Sequence, residues 1–154
     1  MVMRRRISYF LMIVFCAASV LAMAQNNTPS VPPEPANLAE AAGRYIAAVE
    51  QLNVLKATQC GYALKRKLPS FDEVSANEIQ PAFPAQSRSE VAQSLSQLKK
   101  GANEQAKKTF DSLYYYYTQT EMQDNNTACG FITGAFIGVR KMAFEAFDRA
   151  RAKR

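Results

Sequence analysis

Residues 127–147 read TACGFITGAFIGVRKMAFEAF, and this stretch decides the predicted fold. Its first half, residues 128–139, carries only one polar side chain, Thr133, and its second half is amphipathic. A helix that is apolar on all sides must be enclosed by other elements. We therefore predict that this segment is the central helix of a small bundle, running on to about residue 150.

The segment also carries a glycine stripe, Gly130, Gly134 and Gly138, which recur every four residues and so share one side of a helix. Small residues at this spacing let two helices approach closely, as in membrane helix pairs. One interpretation is therefore a face for insertion or association in an envelope membrane. However, residues 128–139 are too few to span hydrocarbon, and Arg140 follows at once. We expect the stripe to serve helix packing, against a neighbour in the same bundle.

Three capping pairs mark the starts of the preceding helices: Asn37 with Glu40, Ser70 with Glu73, and Ser87 with Glu90. The first opens a helix that we expect to continue through Cys60, with Tyr62 on its apolar stripe. The second opens two turns of helix, followed by a connection that Pro81 and Pro84 keep extended. The third opens an amphipathic helix of about nine turns. Asn126 or Thr127 is predicted to cap the final helix.

The amino terminus indicates export. Three arginines precede an apolar run that ends in an A-x-A pattern, so residues 1–24 are predicted to be a signal peptide cleaved after Ala24. The alternative is an uncleaved membrane anchor. Residues 25–36 contain four prolines and are predicted to be a flexible tether, which leaves a single helical domain at 37–152. Cleavage removes three of the 19 basic residues and none of the 13 acids, so the mature charge is 16 minus 13, or +3.

Two cysteines, Cys60 and Cys129, remain after cleavage. In an oxidising compartment an even pair is most simply one disulfide, although two buried thiols are the alternative. The long loop that this bond closes corresponds to about 4 kcal/mol in the chain-entropy model. The sequence therefore predicts an all-α fold, a small antiparallel bundle of three long helices and one short, joined by a Cys60–Cys129 disulfide.

The residues that are missing argue against catalysis. The chain contains no histidine, which excludes imidazole bases and histidine metal sites. Two cysteines without histidine are too few for structural zinc, and the glycines match no nucleotide-binding pattern. We predict no catalytic residue, no cofactor and no metal. The mild positive charge suits peripheral contact with anionic envelope components, and export argues against nucleic acid.

Four consecutive tyrosines, residues 114–117, end the long helix. They sweep about 300° around it, so Tyr114 and Tyr117 can face the core while Tyr115 and Tyr116 are partly exposed. Exposed tyrosines favour recognition of another protein, unless the segment 81–84 covers them. Lys107 and Lys108 lie earlier on the same helix and suit an anionic partner, although a solvated basic face is the plainer reading.

We therefore expect an exported, non-catalytic protein of the bacterial periplasm or exterior that binds another protein. The predicted contacts are Tyr115, Tyr116, Lys107 and Lys108, and an inhibitor or immunity protein is the most concrete version. The alternative is an envelope-associated structural or membrane-active protein that uses the glycine stripe. The sequence indicates neither the partner nor the oligomeric state.

Overall fold

The computed structural model of the chain describes residues 33–65 and 67–153. Its α-helices are α1 (Leu38–Lys56), α2 (Phe71–Val74), α3 (Arg88–Tyr115) and α4 (Asn125–Ala152). Short 3-10 turns (Gly61–Ala63, Gln80–Ala82) and π-helical turns (Ser75–Ile79, Tyr116–Thr120) lie between them. No strand occurs in the described ranges, and the predicted all-α fold of three long helices and one short is confirmed. The predicted signal peptide (1–24) and residues 25–32 of the predicted tether lie outside the described residues.

The centre of the bundle is α1, which lies between α3 and α4, whereas α3 and α4 meet each other only over a short stretch. Twelve of the 19 residues of α1 are buried. Only six of the 28 residues of α4 are buried, so the predicted central position of residues 127–147 is wrong. The apolar appearance of residues 128–139 arises partly from glycine, which has no side chain to bury, and from side chains that face solvent.

Two core clusters hold the helices together. In the first, Tyr45 of α1 is fully buried and stacks on Phe147 of α4 with ring centroids 5.6 Å apart. The hydroxyl of Tyr45 donates a 3.1 Å hydrogen bond to Oε2 of Glu78, and the guanidinium of Arg140 lies 5.9 Å from the ring centroid. The second cluster surrounds the cysteines and includes Leu55 and Phe110. The first cluster joins α1 to α2, α3 and α4, and the second joins α1 to α3 and α4.

The predicted disulfide between Cys60 and Cys129 is confirmed, with the two Cα atoms 5.0 Å apart and both side chains fully buried. It joins the chain just beyond the end of α1 to the second turn of α4. Since these two helices run antiparallel, the bond fixes one end of their contact while Tyr45 and Phe147 fix the other.

The predicted capping residues are confirmed for α1, α2 and α3. Ser70 and Ser87 each form a reciprocal capping box, and the Asn37 side chain accepts a 2.9 Å hydrogen bond from the backbone of Glu40. The cap of α4 is Asp124 rather than the predicted Asn126 or Thr127. Its Oδ1 accepts hydrogen bonds from the backbone N–H groups of both of those residues, at 2.9 and 3.1 Å.

Helix α1 ends at Lys56, earlier than predicted, so Cys60 and Tyr62 lie beyond it. Thr58 satisfies the helix end by donating a 2.7 Å hydrogen bond to the carbonyl of Leu55. The chain then passes so close to α1 that a Cβ on Gly61 would overlap the carbonyl oxygen of Lys56. This close approach requires glycine. The next residue, Tyr62, is exposed, and its hydroxyl donates a 2.7 Å hydrogen bond to Oδ1 of Asn126.

The connections near the prolines and the tether also differ from the prediction. Pro81 lies in a 3-10 turn instead of an extended segment. At the end of the predicted tether, Arg44 donates a 2.6 Å hydrogen bond to the carbonyl of Pro33, and the backbone N–H of Ala36 donates to Oε2 of Glu40. Residues 33–36 are therefore held against α1.

Candidate functional site

The run of four tyrosines lies at the end of α3 and in the π-helical turn after it. Tyr114 and Tyr117 pack against the core cluster around the disulfide, as the sequence predicts. Tyr115 is 66% exposed and Tyr116 is 44% exposed, which confirms the predicted exposure of both. The segment 81–84 does not cover them, because Phe83 packs against the other core cluster, which contains Tyr45. We call Tyr115, Tyr116 and the adjoining Met122 the aromatic end.

Hydrogen bonds and ring contacts fix the orientation of Tyr114, Tyr116 and Tyr117. The hydroxyl of Tyr116 donates a 2.6 Å hydrogen bond to Oε1 of Glu121, and that of Tyr114 donates a 2.6 Å bond to Oδ1 of Asn125. The bond to Glu121, and the charge of that carboxylate, raise the pKa of Tyr116. The ring of Tyr117 lies edge-on to Tyr116 and stacks on Phe131 of α4, both at 5.3 Å between centroids. Within the aromatic end, the ring of Tyr116 is therefore held in place by contacts inside the chain.

Met122 is an exposed apolar residue that the sequence analysis did not single out. Its side chain is 80% exposed, and its φ of 51° lies in the left-handed region that residues with a side chain rarely adopt. The backbone there forms the turn between the two long helices, with Gln123 N–H bonded to the carbonyl of Tyr117 at 2.9 Å. No residue pattern in the sequence signals this conformation, because glycine or asparagine is the usual occupant.

Beside Met122, the surface forms an open depression. It is lined by Tyr116, Tyr117, Glu121, Gln123 and Phe131. Phe131 is 52% exposed, although it belongs to the segment that the sequence predicts to be enclosed. The depression offers aromatic faces on two sides and one carboxylate, a combination suited to holding an apolar or cationic side chain. Its tyrosines come from the π-helical turn after α3, its acid from the loop that follows, and Phe131 from α4, so only the folded hairpin presents it.

The two predicted lysine contacts are both exposed on α3. Lys108 precedes Tyr115 by seven residues, about two helical turns, and so lies on the same side of α3. Lys107 precedes Tyr116 by nine residues, which places them about half a turn out of phase. The structure therefore brings Lys108 onto the side of Tyr115, and it leaves Lys107 away from Tyr116.

The glycine stripe does not pack within the described chain, which corrects the expectation of close packing inside the bundle. A Cβ placed on Gly130, Gly134 or Gly138 would meet no atom within 4 Å. The reason is that α4 turns its other side, with Ile132 and Phe136, toward α1. The stripe is thus an outward feature, separate from the aromatic end.

Other chemistry in the described ranges is sparse. Within residues 33–65 and 67–153, no three His, Cys, Asp or Glu side chains lie together as a metal site would require. No helix in that part of the chain is both long enough and apolar enough to cross a membrane. The absence of cofactor, metal and catalysis stays a prediction. Comparisons with protein-family models, with curated proteins and with solved structures found no match for this chain.

Proposed function

We propose that this chain is a non-catalytic binding protein that holds another protein at the aromatic end. The observation that carries the proposal is the outward position of three large side chains, one of which, Tyr116, is fixed by a hydrogen bond. Tyr115 and Met122 are the most exposed large apolar residues of the described chain, and Tyr116 beside them is fixed by its bond to Glu121. Burial of such side chains by a partner is favourable because each removes a large apolar area from water.

The pre-formed orientation of Tyr116 favours binding further. A side chain that is already fixed loses little conformational freedom on binding, and tyrosine offers a rigid ring with a polar tip. Because the hydroxyl of Tyr116 is bonded to Glu121, rotation of the side chain is restricted and the ring keeps one orientation. Tyrosine is also among the residues that most often dominate the energetics of protein interfaces.

Charge near the aromatic end adds a preference for acidic partners. Lys108 lies on the side of Tyr115, and Lys107 is exposed next to it. Positive side chains at the edge of an interface mainly raise the association rate with a negatively charged partner, and the effect weakens with salt. We therefore infer a partner that carries carboxylates where it faces Lys107 and Lys108, and an apolar or cationic side chain where it meets the depression beside Glu121.

The compartment in this proposal is the bacterial envelope, reached through the predicted leader. The buried Cys60–Cys129 bond is compatible with an oxidising environment. An inhibitor or immunity protein that occupies the site of an exported effector is the most concrete version. Such a role needs a stable, rigid surface and no chemistry of its own.

Capture from an envelope extract of the producing organism tests the proposal. The immobilised wild-type chain is compared with a Tyr115→Ala/Tyr116→Ala variant and with a Gln97→Ala/Lys100→Ala control at two exposed positions earlier on α3. We expect the tyrosine variant to lose a protein that the wild type and the control both retain. If all three chains capture the same proteins in the same amounts, the aromatic end is not a binding surface.

A Lys107→Ala/Lys108→Ala variant tests the role of charge separately from that of the tyrosine rings. We expect it to retain the captured protein at low salt but to associate with it more slowly. Equal association rates for this variant and the wild type at low salt would remove the preference for an acidic partner.

A further inference from the structure

The depression beside Met122 combines an aromatic corner with one carboxylate. The rings of Tyr116 and Tyr117 meet at 71° with their centroids 5.3 Å apart, so they form two steeply inclined walls. Phe131 of α4 stacks on Tyr117 and extends the second wall. The depression measures about 310 Å³, which is at the lower end of the range for ligand pockets. It therefore suits a single side chain rather than a larger ligand.

The carboxylate of Glu121 has acceptor capacity that the described chain does not use. Its Oε1 accepts the 2.6 Å hydrogen bond from the hydroxyl of Tyr116, whereas no described side chain donates to its Oε2. None of the ion pairs between described residues includes Glu121. A carboxylate offers about four lone-pair sites on its two oxygens. Glu121 can therefore accept two more N–H groups from outside while it keeps its bond to Tyr116.

The charges near this carboxylate in the chain are negative. Residues 109–139 contain Asp111, Glu121 and Asp124 but no lysine or arginine. Asp124 caps α4, where its charge offsets the positive end of that helix. Lys108 lies about two turns before Tyr115. No cation from the hairpin segment 109–139 thus competes for Glu121.

The pairing of Glu121 decides between an apolar and a cationic occupant. An apolar side chain would cover the carboxylate and remove its water without replacing it, which is unfavourable. A cation pairs with the carboxylate and is also attracted by aromatic faces within about 6 Å of the ring centroid. Of the two cationic side chains, arginine has a planar group that stacks on a ring and donates two parallel hydrogen bonds to one carboxylate. The ammonium of lysine is a strongly hydrated point charge.

We propose that the depression binds an arginine side chain of the protein that the aromatic end holds. The guanidinium lies against the tyrosine walls and donates hydrogen bonds to Glu121. This inference deepens the proposed function and rests on it, because the arginine belongs to that partner. The partner then presents an arginine to the depression and carboxylates to Lys107 and Lys108.

An NMR titration of the ¹⁵N-labelled, disulfide-bonded chain with N-acetyl-arginine methylamide tests the site without the partner. The matched probe is N-acetyl-citrulline methylamide, which has nearly the same shape and no charge. We expect the arginine probe to shift the amide signals of residues 116–123 and 131, and to bind about threefold or more tightly than the citrulline probe. Equal binding of the two probes overturns the proposal. Tighter binding of N-acetyl-leucine methylamide at the same signals would assign the depression to an apolar side chain and also overturn it.

A Glu121→Gln variant tests the role of the carboxylate, because it removes the charge but keeps a carbonyl oxygen that can accept the bond from Tyr116. We expect it to weaken binding of the arginine probe by about threefold or more. Asp111→Asn is the matched control, since it removes the same charge from an exposed position on α3, and we expect it to bind like the wild type. Unchanged binding in Glu121→Gln contradicts the proposal.

Capture from the envelope extract separates this inference from the proposed function. We expect Glu121→Gln to retain less of the protein that the wild type captures. If that protein is lost in Tyr115→Ala/Tyr116→Ala but fully retained in Glu121→Gln, the aromatic end remains a binding surface and only the arginine site is overturned. The probe titration uses no partner, so a failed capture does not alter its result.

Discussion

The hydroxyl of Tyr116 donates a 2.6 Å hydrogen bond to Oε1 of Glu121, and this bond ties the last turn after α3 to the loop that precedes α4. The same carboxylate lines the depression beside Phe131. Glu121 therefore has two roles: it orients the ring of Tyr116, and it supplies the negative charge of the depression.

Replacement of Glu121 by alanine tests the first role. Because the bond and the charge of Glu121 raise the pKa of Tyr116, we expect Glu121→Ala to lower that pKa toward its ordinary value. NMR of chains carrying ring-labelled tyrosine, titrated through the alkaline range, measures the change. The control is Gln119→Ala, an exposed position in the same turn. An unchanged pKa of Tyr116 in Glu121→Ala would mean that the bond is absent in solution.

Met122 allows binding to be separated from stability. The left-handed backbone at φ 51° costs about 1–2 kcal/mol for a residue with a side chain, and glycine avoids that cost. We therefore expect Met122→Gly to raise the free energy of unfolding and, at the same time, to weaken the captured partner's binding. Met122→Ala is the control, because it removes the apolar group but keeps the strain. Urea denaturation that finds the glycine variant less stable than the alanine variant would contradict the backbone conformation.

The glycines make a paired prediction about stability. Gly134→Ala should stabilise α4 by about 0.5–1 kcal/mol, because alanine is the better helix former and the added methyl meets nothing. Gly61→Ala should destabilise the fold, since its Cβ would overlap the carbonyl of Lys56. Thermal unfolding of both variants, compared with the wild type at the same concentration, measures the difference. Destabilisation by Gly134→Ala would place that glycine in a packed contact, as the sequence pattern suggests.

Tyr45 predicts how stability changes at alkaline pH. Burial, with the adjacent charge of Glu78, raises the pKa of Tyr45 above its ordinary value of 10.0, although Arg140 opposes the shift. The folded chain thus holds this proton more tightly than the unfolded chain does. The associated stability is fully present below pH 10 and is lost as pH rises through the folded-state pKa. Urea denaturation should show a smaller loss above pH 10 for Tyr45→Phe than for the wild type. Tyr115→Phe, at an exposed position, should behave like the wild type.

Short-range chemistry explains what could be predicted from the sequence. Ser70 and Ser87 cap their helices because the acid three residues on is close enough to complete each box. The Cys60–Cys129 bond followed from an even pair in a chain with an export signal. Exposure of Tyr115 and Tyr116 followed from helix geometry alone, since four successive side chains cannot share one face.

The central helix could not be predicted by the same reasoning. Apolar composition identified residues 128–139 as enclosed, but composition does not distinguish a glycine that is covered from one that lies open, as Gly134 does. Helix α1 is more deeply buried although it carries Glu50, whose carboxylate accepts a 2.7 Å hydrogen bond from the Asn103 side chain. That pairing depends on residues far apart in the chain. The left-handed Met122 likewise depends on how the hairpin closes, which no local pattern reports.

Photo-cross-linking in the producing cells shows whether the aromatic end touches another protein. A benzoylphenylalanine side chain is introduced in place of Tyr115, in place of Tyr116 or, as a control, in place of Lys100 on the same helix. On irradiation, we expect a covalent adduct to a different protein from the two tyrosine positions and little or none from position 100. The absence of an adduct at both tyrosine positions, or an equal yield at all three, would contradict recognition through the aromatic end.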